Sequence, residues 1–113
     1  MSKPVAVVVG AGPGLGSALA RRFAVAGMAV AVARRRIDEL AGLAEETGGR
    51  AYACDATDRD SVEALFDSVE RDLGTPALVA YNAGAYQRGG ILEISADDFE
   101  RCWRIGCLGG FHV

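Results

Sequence analysis

Val9-Gly10-Ala11-Gly12-Pro13-Gly14-Leu15-Gly16 is the stretch on which the fold turns. It follows the apolar run Val5 to Val9, which reads as a buried strand. Leu15, Leu19 and Phe23 then recur at the spacing of one helix face. A glycine-rich turn between a strand and a helix is suited to a phosphate. Backbone N–H groups at the helix start and the positive end of the helix dipole both attract an anion. Glycines let the backbone approach the ligand and adopt positive φ. A tight turn with no ligand is the alternative reading of the same residues.

Outward from that turn the chain alternates. A second strand, Met28 to Ala33, follows Gly27, and a second helix covers 36–47 with Ile37, Leu40, Ala41 and Ala44 on one face. Gly48 and Gly49 end it, and residues 50–54 form a short third strand. Thr57 and Asp60 suggest a capping box for a third helix. Its apolar face is Val62, Leu65, Phe66, Val69 and Leu73, and Gly74 and Pro76 stop it. Ala77 to Tyr81 is a fourth, unbroken apolar strand. A loop with Gly84, Gly89 and Gly90 leads to a fourth helix capped by Ser95 and Asp98, which contains Gly106, Gly109 and Gly110. Apolar strands alternating with amphipathic helices imply a parallel sheet covered on both faces. Right-handed crossovers give the strand order 3-2-1-4. The expected fold is a three-layer α/β architecture, and residues 1–113 form one domain without a repeat, linker or low-complexity tract.

Composition narrows the function. Half of the 113 residues are hydrophobic, enough for a core, and the net charge of −3 argues against a nucleic-acid binder. No apolar run is long enough to cross a membrane. Met1-Ser2-Lys3-Pro4 leads straight into a strand, unlike a secretory signal. Cys54, Cys102 and Cys107 are odd in number and form no C-x-x-C pair, so neither a disulfide framework nor a zinc site is expected. Buried reduced thiols fit a cytoplasmic protein. His112, the only histidine, has no ligand pattern around it, and no metal is expected.

The glycine spacing departs from the common G-x-G-x-x-G fingerprint, because Leu15 stands at the third glycine. Gly10, Gly14 and Gly16 instead fit G-x-x-x-G-x-G. With Arg34-Arg35 after strand two, Cys54-Asp55-Ala56-Thr57 after strand three, Tyr81-Asn82-Ala83-Gly84 after strand four and the stretch Trp103 to Phe111, the chain resembles the classical short-chain dehydrogenase/reductase family over essentially its whole length. The resemblance implies an NAD(P)-binding Rossmann fold and hydride transfer between an alcohol and a carbonyl. It implies that Gly10, Gly14 and Gly16 line the pyrophosphate and that Leu15 offers its backbone N–H to a phosphate. Asp55 would bond the adenine amino group with Ala56 beside the ring, and Asn82, Ala83 and Gly84 would pass under the ribose and nicotinamide side. The plainer alternatives are an N-terminal helix cap for Asp55 and a simple post-strand turn for Asn82 to Gly84.

Cofactor choice follows from charge. NAD enzymes place an acid at the end of strand two, to bond the ribose hydroxyls. Here Arg34, Arg35 and Arg36 stand there, with no acid before Asp38. A guanidinium pairs bidentately with phosphate, so the 2′-phosphate of NADP is expected at Arg34 or Arg35 in preference to NAD. Pro13 stands where NADP-preferring relatives often carry a basic residue. A merely solvated basic cluster is the alternative.

The resemblance also implies a catalytic Asn, a Ser and a Tyr-x-x-x-Lys. Family spacing puts Ser, Tyr and Lys beyond residue 113, and none of Tyr52, Tyr81 and Tyr86 is followed by a lysine at the fourth position. Cys107 falls on the Asn position. A thiol hydrogen-bonds weakly, and a core or helix-face role for Cys107 is the alternative to a nucleophile. In the family a fifth strand pairs beside strand four; without it Ala77 to Tyr81 would be an exposed apolar edge. The chain is therefore expected to be the cofactor-binding first half of a larger NADP-dependent oxidoreductase, a homodimer or homotetramer acting on a small alcohol or carbonyl compound. A non-catalytic NADP-binding or interaction module is the second reading, and an α/β protein holding another phosphorylated ligand the third. Gln87 to Leu92 reads either as a substrate rim or as a surface loop.

Overall fold

The computed structural model describes residues 3–113, so the expected lead-in at Met1 and Ser2 lies outside the described residues. Four parallel strands, β1 (Val5–Val9), β2 (Ala29–Arg34), β3 (Arg50–Ala53) and β4 (Pro76–Tyr81), form one sheet in the order β3-β2-β1-β4. This is the three-layer arrangement expected from the alternating pattern. The helices are α1 (Leu15–Val25), α2 (Ala41–Thr47), α3 (Arg59–Asp72), α4 (Ala96–Trp103) and α5 (Gly109–His112). A 3-10 turn, Ile37–Leu40, precedes α2, and a π-helical segment, Arg104–Leu108, joins α4 to α5.

All five residues of β1 are buried, as a central strand covered on both faces requires. Successive side chains point to opposite faces, so the core divides in two. Val5, Val7 and Val9 pack with Val62, Leu65 and Val69 of α3 on one side. Val8, Val30 and Val32 pack with Ala20 of α1, and with Leu40 and Leu43, on the other.

Several local expectations change. The helical face Ile37, Leu40, Ala41, Ala44 is not the one buried. Ile37 and Ala41 are exposed, whereas Leu40 and Leu43 are buried. The 3-10 turn has three residues per turn, so the phase assumed across 36–47 breaks at Leu40. Leu15 begins α1 with its side chain 63% exposed and does not extend the stripe of Leu19 and Phe23. The capping box at Thr57 and Asp60 does not form. Asp58 is the N-cap of α3 and accepts from Asp60 N–H at 3.0 Å. The Thr57 hydroxyl donates to Asp55 Oδ1 at 2.7 Å instead. Ser95 does cap α4, accepting from Asp98 N–H at 3.1 Å.

The cysteines also divide. Cys54 is buried, Cys102 half-buried and Cys107 exposed, so buried thiols describe only the first. β4 forms one edge of the sheet, and Leu78 and Val79 are exposed along it. Gln87 to Leu92 is an exposed loop.

Candidate functional site

The strand order reverses direction between β1 and β4. Connections from β1 run to one side through β2 and β3, and the chain returns to place β4 on the other. A parallel α/β sheet opens a crevice at such a switch point, beyond the carboxyl ends of its strands.

Gly10 turns the chain out of β1 with φ +89°, a conformation that glycine adopts without strain. The N–H groups of Gly10 and Ala11 donate to Ala33 C=O at 2.8 and 3.2 Å, tying the turn to the end of β2. From the other side Asn82 N–H donates to Val9 C=O at 2.7 Å, and Asn82 Nδ2 donates to Gly10 C=O at 3.2 Å. A Cβ on Gly10 would collide with the Ala83 backbone. One on Gly16 would come within 2.5 Å of Gly10 O and 2.8 Å of Ala11 Cα. These two glycines bring three backbone segments together. Gly12 and Gly14 differ: a Cβ there meets nothing within 4 Å, so the loop faces open space. Gly14 caps α1 without a side-chain hydrogen bond, and no backbone acceptor among the described residues takes the N–H of Leu15 or Gly16. Unpaired donors at a helix N-terminus beside open space suit an anion.

The loop after β3 supplies the opposite wall. Asp55 Oδ1 accepts from Thr57 N–H at 3.0 Å and from the Thr57 hydroxyl, while Oδ2 accepts no hydrogen bond among the described residues. The cap role read as an alternative for Asp55 belongs to Asp58. Ala56 C=O lies 2.9 Å from His112 Nδ1, which holds α5 against this loop. Burial pushes the Cys54 thiol up, so it is protonated at neutral pH.

Gly10, Arg34, Arg35, Asp55, Ala56, Asn82, Ala83 and Gly84 line a single cleft of about 340 Å³. Gly14, Leu15 and Gly16 do not line it; they form the start of α1 beside it. Gly12, Arg36, Thr57 and Ile105 also line it and had not been singled out for the site. Gly12 was within reach of sequence reading, since it lies inside the quoted turn. Ile105 was not, because it enters through the π-helical segment. The Tyr81 hydroxyl donates to Ile105 C=O, and the Tyr81 ring lies against Gly109 and Gly110. Those two glycines therefore make room for Tyr81 within the chain, whereas a Cβ on Gly106 meets nothing. A π-helical turn often marks a functional position. Cys107 lies in it, exposed and outside the cleft lining, as the helix-face alternative has it.

Charge at the end of β2 is more balanced than the run of three arginines suggests. Arg34 Nη2 pairs with Glu39 Oε2 at 2.9 Å, and Arg36 Nη1 lies 3.7 Å from Glu39 Oε1. Among the described residues Arg35 makes no ion pair, and no three His, Cys, Asp or Glu side chains are grouped to hold a metal ion. No helix among them is long and apolar enough to cross a membrane.

This geometry agrees with what the chain is similar to. The family model for short chain dehydrogenase matches residues 4–113. Meso-2,3-butanediol dehydrogenase of Serratia marcescens is 35% identical over 100 residues, covering 86% of this chain and 40% of that protein. Sorbitol-6-phosphate 2-dehydrogenase of Escherichia coli is 32% identical over 114 residues, covering 95% and 44%. Among solved structures, an actinorhodin polyketide ketoreductase variant with NADPH superposes with a TM-score of 0.94 at 26% identity, covering 100% of this chain and 46% of that one. A short-chain type dehydrogenase/reductase from Mycobacterium marinum does so with a TM-score of 0.90 at 33% identity, covering 98% and 47%. The chain belongs to the short-chain dehydrogenase family, and its fold is the Rossmann fold of that family. It spans less than half the length of these relatives.

Proposed function

We propose that this chain is the cofactor-binding part of an NADP(H)-dependent oxidoreductase that interconverts a small alcohol and its carbonyl compound. The observation that carries the reading is the single cleft at the β1/β4 switch point, where Gly10, Asp55, Ala56 and Asn82–Gly84 meet Arg34 and Arg35. The residues present suit a dinucleotide. The open space at Gly12 and Gly14 leaves room for a pyrophosphate beside the unpaired N–H groups of Leu15 and Gly16. Gly10 and Gly16 hold the loop in that shape. Asp55 Oδ2 is available to the adenine amino group, with Ala56 as the apolar contact beside the ring. Asn82, Ala83 and Gly84 give the ribose and nicotinamide side a narrow backbone floor. Arg34 and Arg35 line the same cleft, and their charge suits a 2′-phosphate better than a neutral hydroxyl. A nicotinamide held in this cleft would give a hydride to the carbonyl carbon or take one from the alcohol carbon.

By the same family resemblance the working protein is a cytoplasmic homodimer or homotetramer with a single Rossmann domain that continues past these residues. The exposed Phe99, Trp103 and Phe111 of α4 and α5 support an assembly through these helices. Cys107 favours a second reading, a module that binds NADP without turnover, because a thiol is a poor substitute for the amide at that position.

Fluorescence titration of the natural full-length protein with NADPH and NADH tests the first reading. Arg34→Asp with Arg35→Ala is expected to weaken NADPH by about 10- to 100-fold, as loss of charge-assisted bonds implies, and NADH far less. Unchanged NADPH affinity overturns the choice of NADP, and no binding at millimolar cofactor overturns both readings. Turnover of a carbonyl panel with NADPH separates the enzyme from the silent module.

A further inference from the structure

We propose that Glu39 sets how strongly this cleft prefers a 2′-phosphorylated ribose, by drawing on the charge of Arg34. The inference rests on the cofactor reading above and deepens it. Glu39 belongs to the 3-10 turn that follows β2, five residues after Arg34, and the turn folds its carboxylate back over the strand end. One oxygen takes Arg34 Nη2 at 2.9 Å, and the other faces Arg36 Nη1 at 3.7 Å. Glu39 and Arg34 also line a recess that adjoins the cleft, together with Pro13 of the glycine turn. A phosphate entering between Pro13 and Arg34 would therefore meet the carboxylate as well as the guanidinium.

The electrostatic balance decides the direction. The Glu39 carboxylate and the Arg34 side chain are 41% and 30% exposed. An ion pair that wet is weak and opens readily, so Glu39 does not block the site. Paired at 2.9 Å, it offsets part of the guanidinium charge that Arg34 offers to a phosphate. A ribose 2′-hydroxyl carries no charge and can donate to a carboxylate. Glu39 thus lowers affinity for the phosphorylated ribose while leaving the plain ribose unaffected or helped. The preference for NADP is narrower than three consecutive arginines imply.

The test uses the natural full-length protein and two probes that differ by one phosphate, 2′,5′-ADP and 5′-AMP, measured by calorimetric titration. Glu39→Gln keeps the shape and removes the charge. It is expected to tighten 2′,5′-ADP about three- to tenfold and to change 5′-AMP by less than about twofold, the scale of one exposed charge. With Arg34→Gln in place, Glu39→Gln should lose most of this gain, because the effect runs through Arg34. A matched change for both probes means a merely structural role and overturns the proposal. So does an unchanged or weakened affinity for 2′,5′-ADP, or a gain that survives Arg34→Gln. If neither probe binds the wild-type protein, the cofactor reading itself fails. Binding of both probes with no response to Glu39→Gln sinks only the role of Glu39.

Discussion

Single residues carry the shape of the cleft, and the glycines of the turn separate cleanly by what surrounds them. Gly10 combines φ +89° with a Cβ position already occupied by the Ala83 backbone. Gly10→Ala is expected to destabilise the fold by about 2–4 kcal/mol, combining a strained φ with overpacked backbone. Gly12 has open space, so Gly12→Ala should keep stability within about 0.5 kcal/mol, as for a tolerated surface change, while weakening NADPH. Urea unfolding of the two variants side by side checks the contrast; equal losses would contradict it. The glycine pattern was legible in sequence, but which glycines are structural and which face the ligand was not. That division depends on Ala83, far along the chain, reaching Gly10.

Elements are held by their ends. Asp58, not Thr57, caps α3, because the Thr57 hydroxyl is drawn back to Asp55. Asp58→Ala should cost about 1 kcal/mol, a typical N-cap loss, measured as a shift in thermal midpoint. β3 and α3 are joined by the Tyr52 hydroxyl, which donates to Asp72 Oδ2 at 3.0 Å. Burial and the Asp72 carboxylate push Tyr52 up to about 12 from its ordinary 10.0. A raised folded value means that the stability linked to Tyr52 is complete below pH 10 and is lost as pH rises toward 12. Tyr52→Phe should flatten stability over that window; a variant that follows the wild-type curve would remove the contact from the balance. The Arg71 guanidinium, and after it the Tyr52 hydroxyl, lowers the Asp72 carboxyl, a contribution lost only as pH falls through the acid range. Helix and strand extents were readable from periodicity, whereas the switch from a 3-10 turn to an α-helix at Leu40 was not. That switch left Ile37 in solvent and turned Leu43 inward.

At the scale of the molecule, the cleft exists because the loops after all four strands arrive at one end of the sheet. If it holds NADPH, cofactor at a hundred times its Kd should stabilise the protein by about 2.7 kcal/mol, by mass action alone. Differential scanning fluorimetry with NADPH reads this as a rise in Tm of several degrees. Gly10→Ala, which disturbs the contact between the glycine turn and the backbone after β4, should diminish that rise along with the starting Tm. The exposed edge at Leu78 and Val79 and the exposed α4 and α5 aromatics are the other whole-molecule feature. The sheet order, already legible in the sequence, puts β4 at the edge, whereas the exposure of the α4 and α5 aromatics is set by the folded chain.

The sequence by itself determined the alternation of strand and helix, the parallel sheet and its order, and the glycine turn that points to a nucleotide. These follow from short-range periodicity and from the handedness of crossovers, both local properties of an L-amino-acid chain. Only the tertiary structure placed Asn82 on Gly10, Tyr81 under Gly109 and Gly110, and Ile105 in the cleft. It also decided that Arg34 meets Glu39 while Arg35 stands apart. The first three join segments far apart in sequence, and Arg34 and Glu39, five residues apart, meet only because the 3-10 turn folds back. The charge that a ligand would feel is a sum over neighbours that only the folded chain brings together.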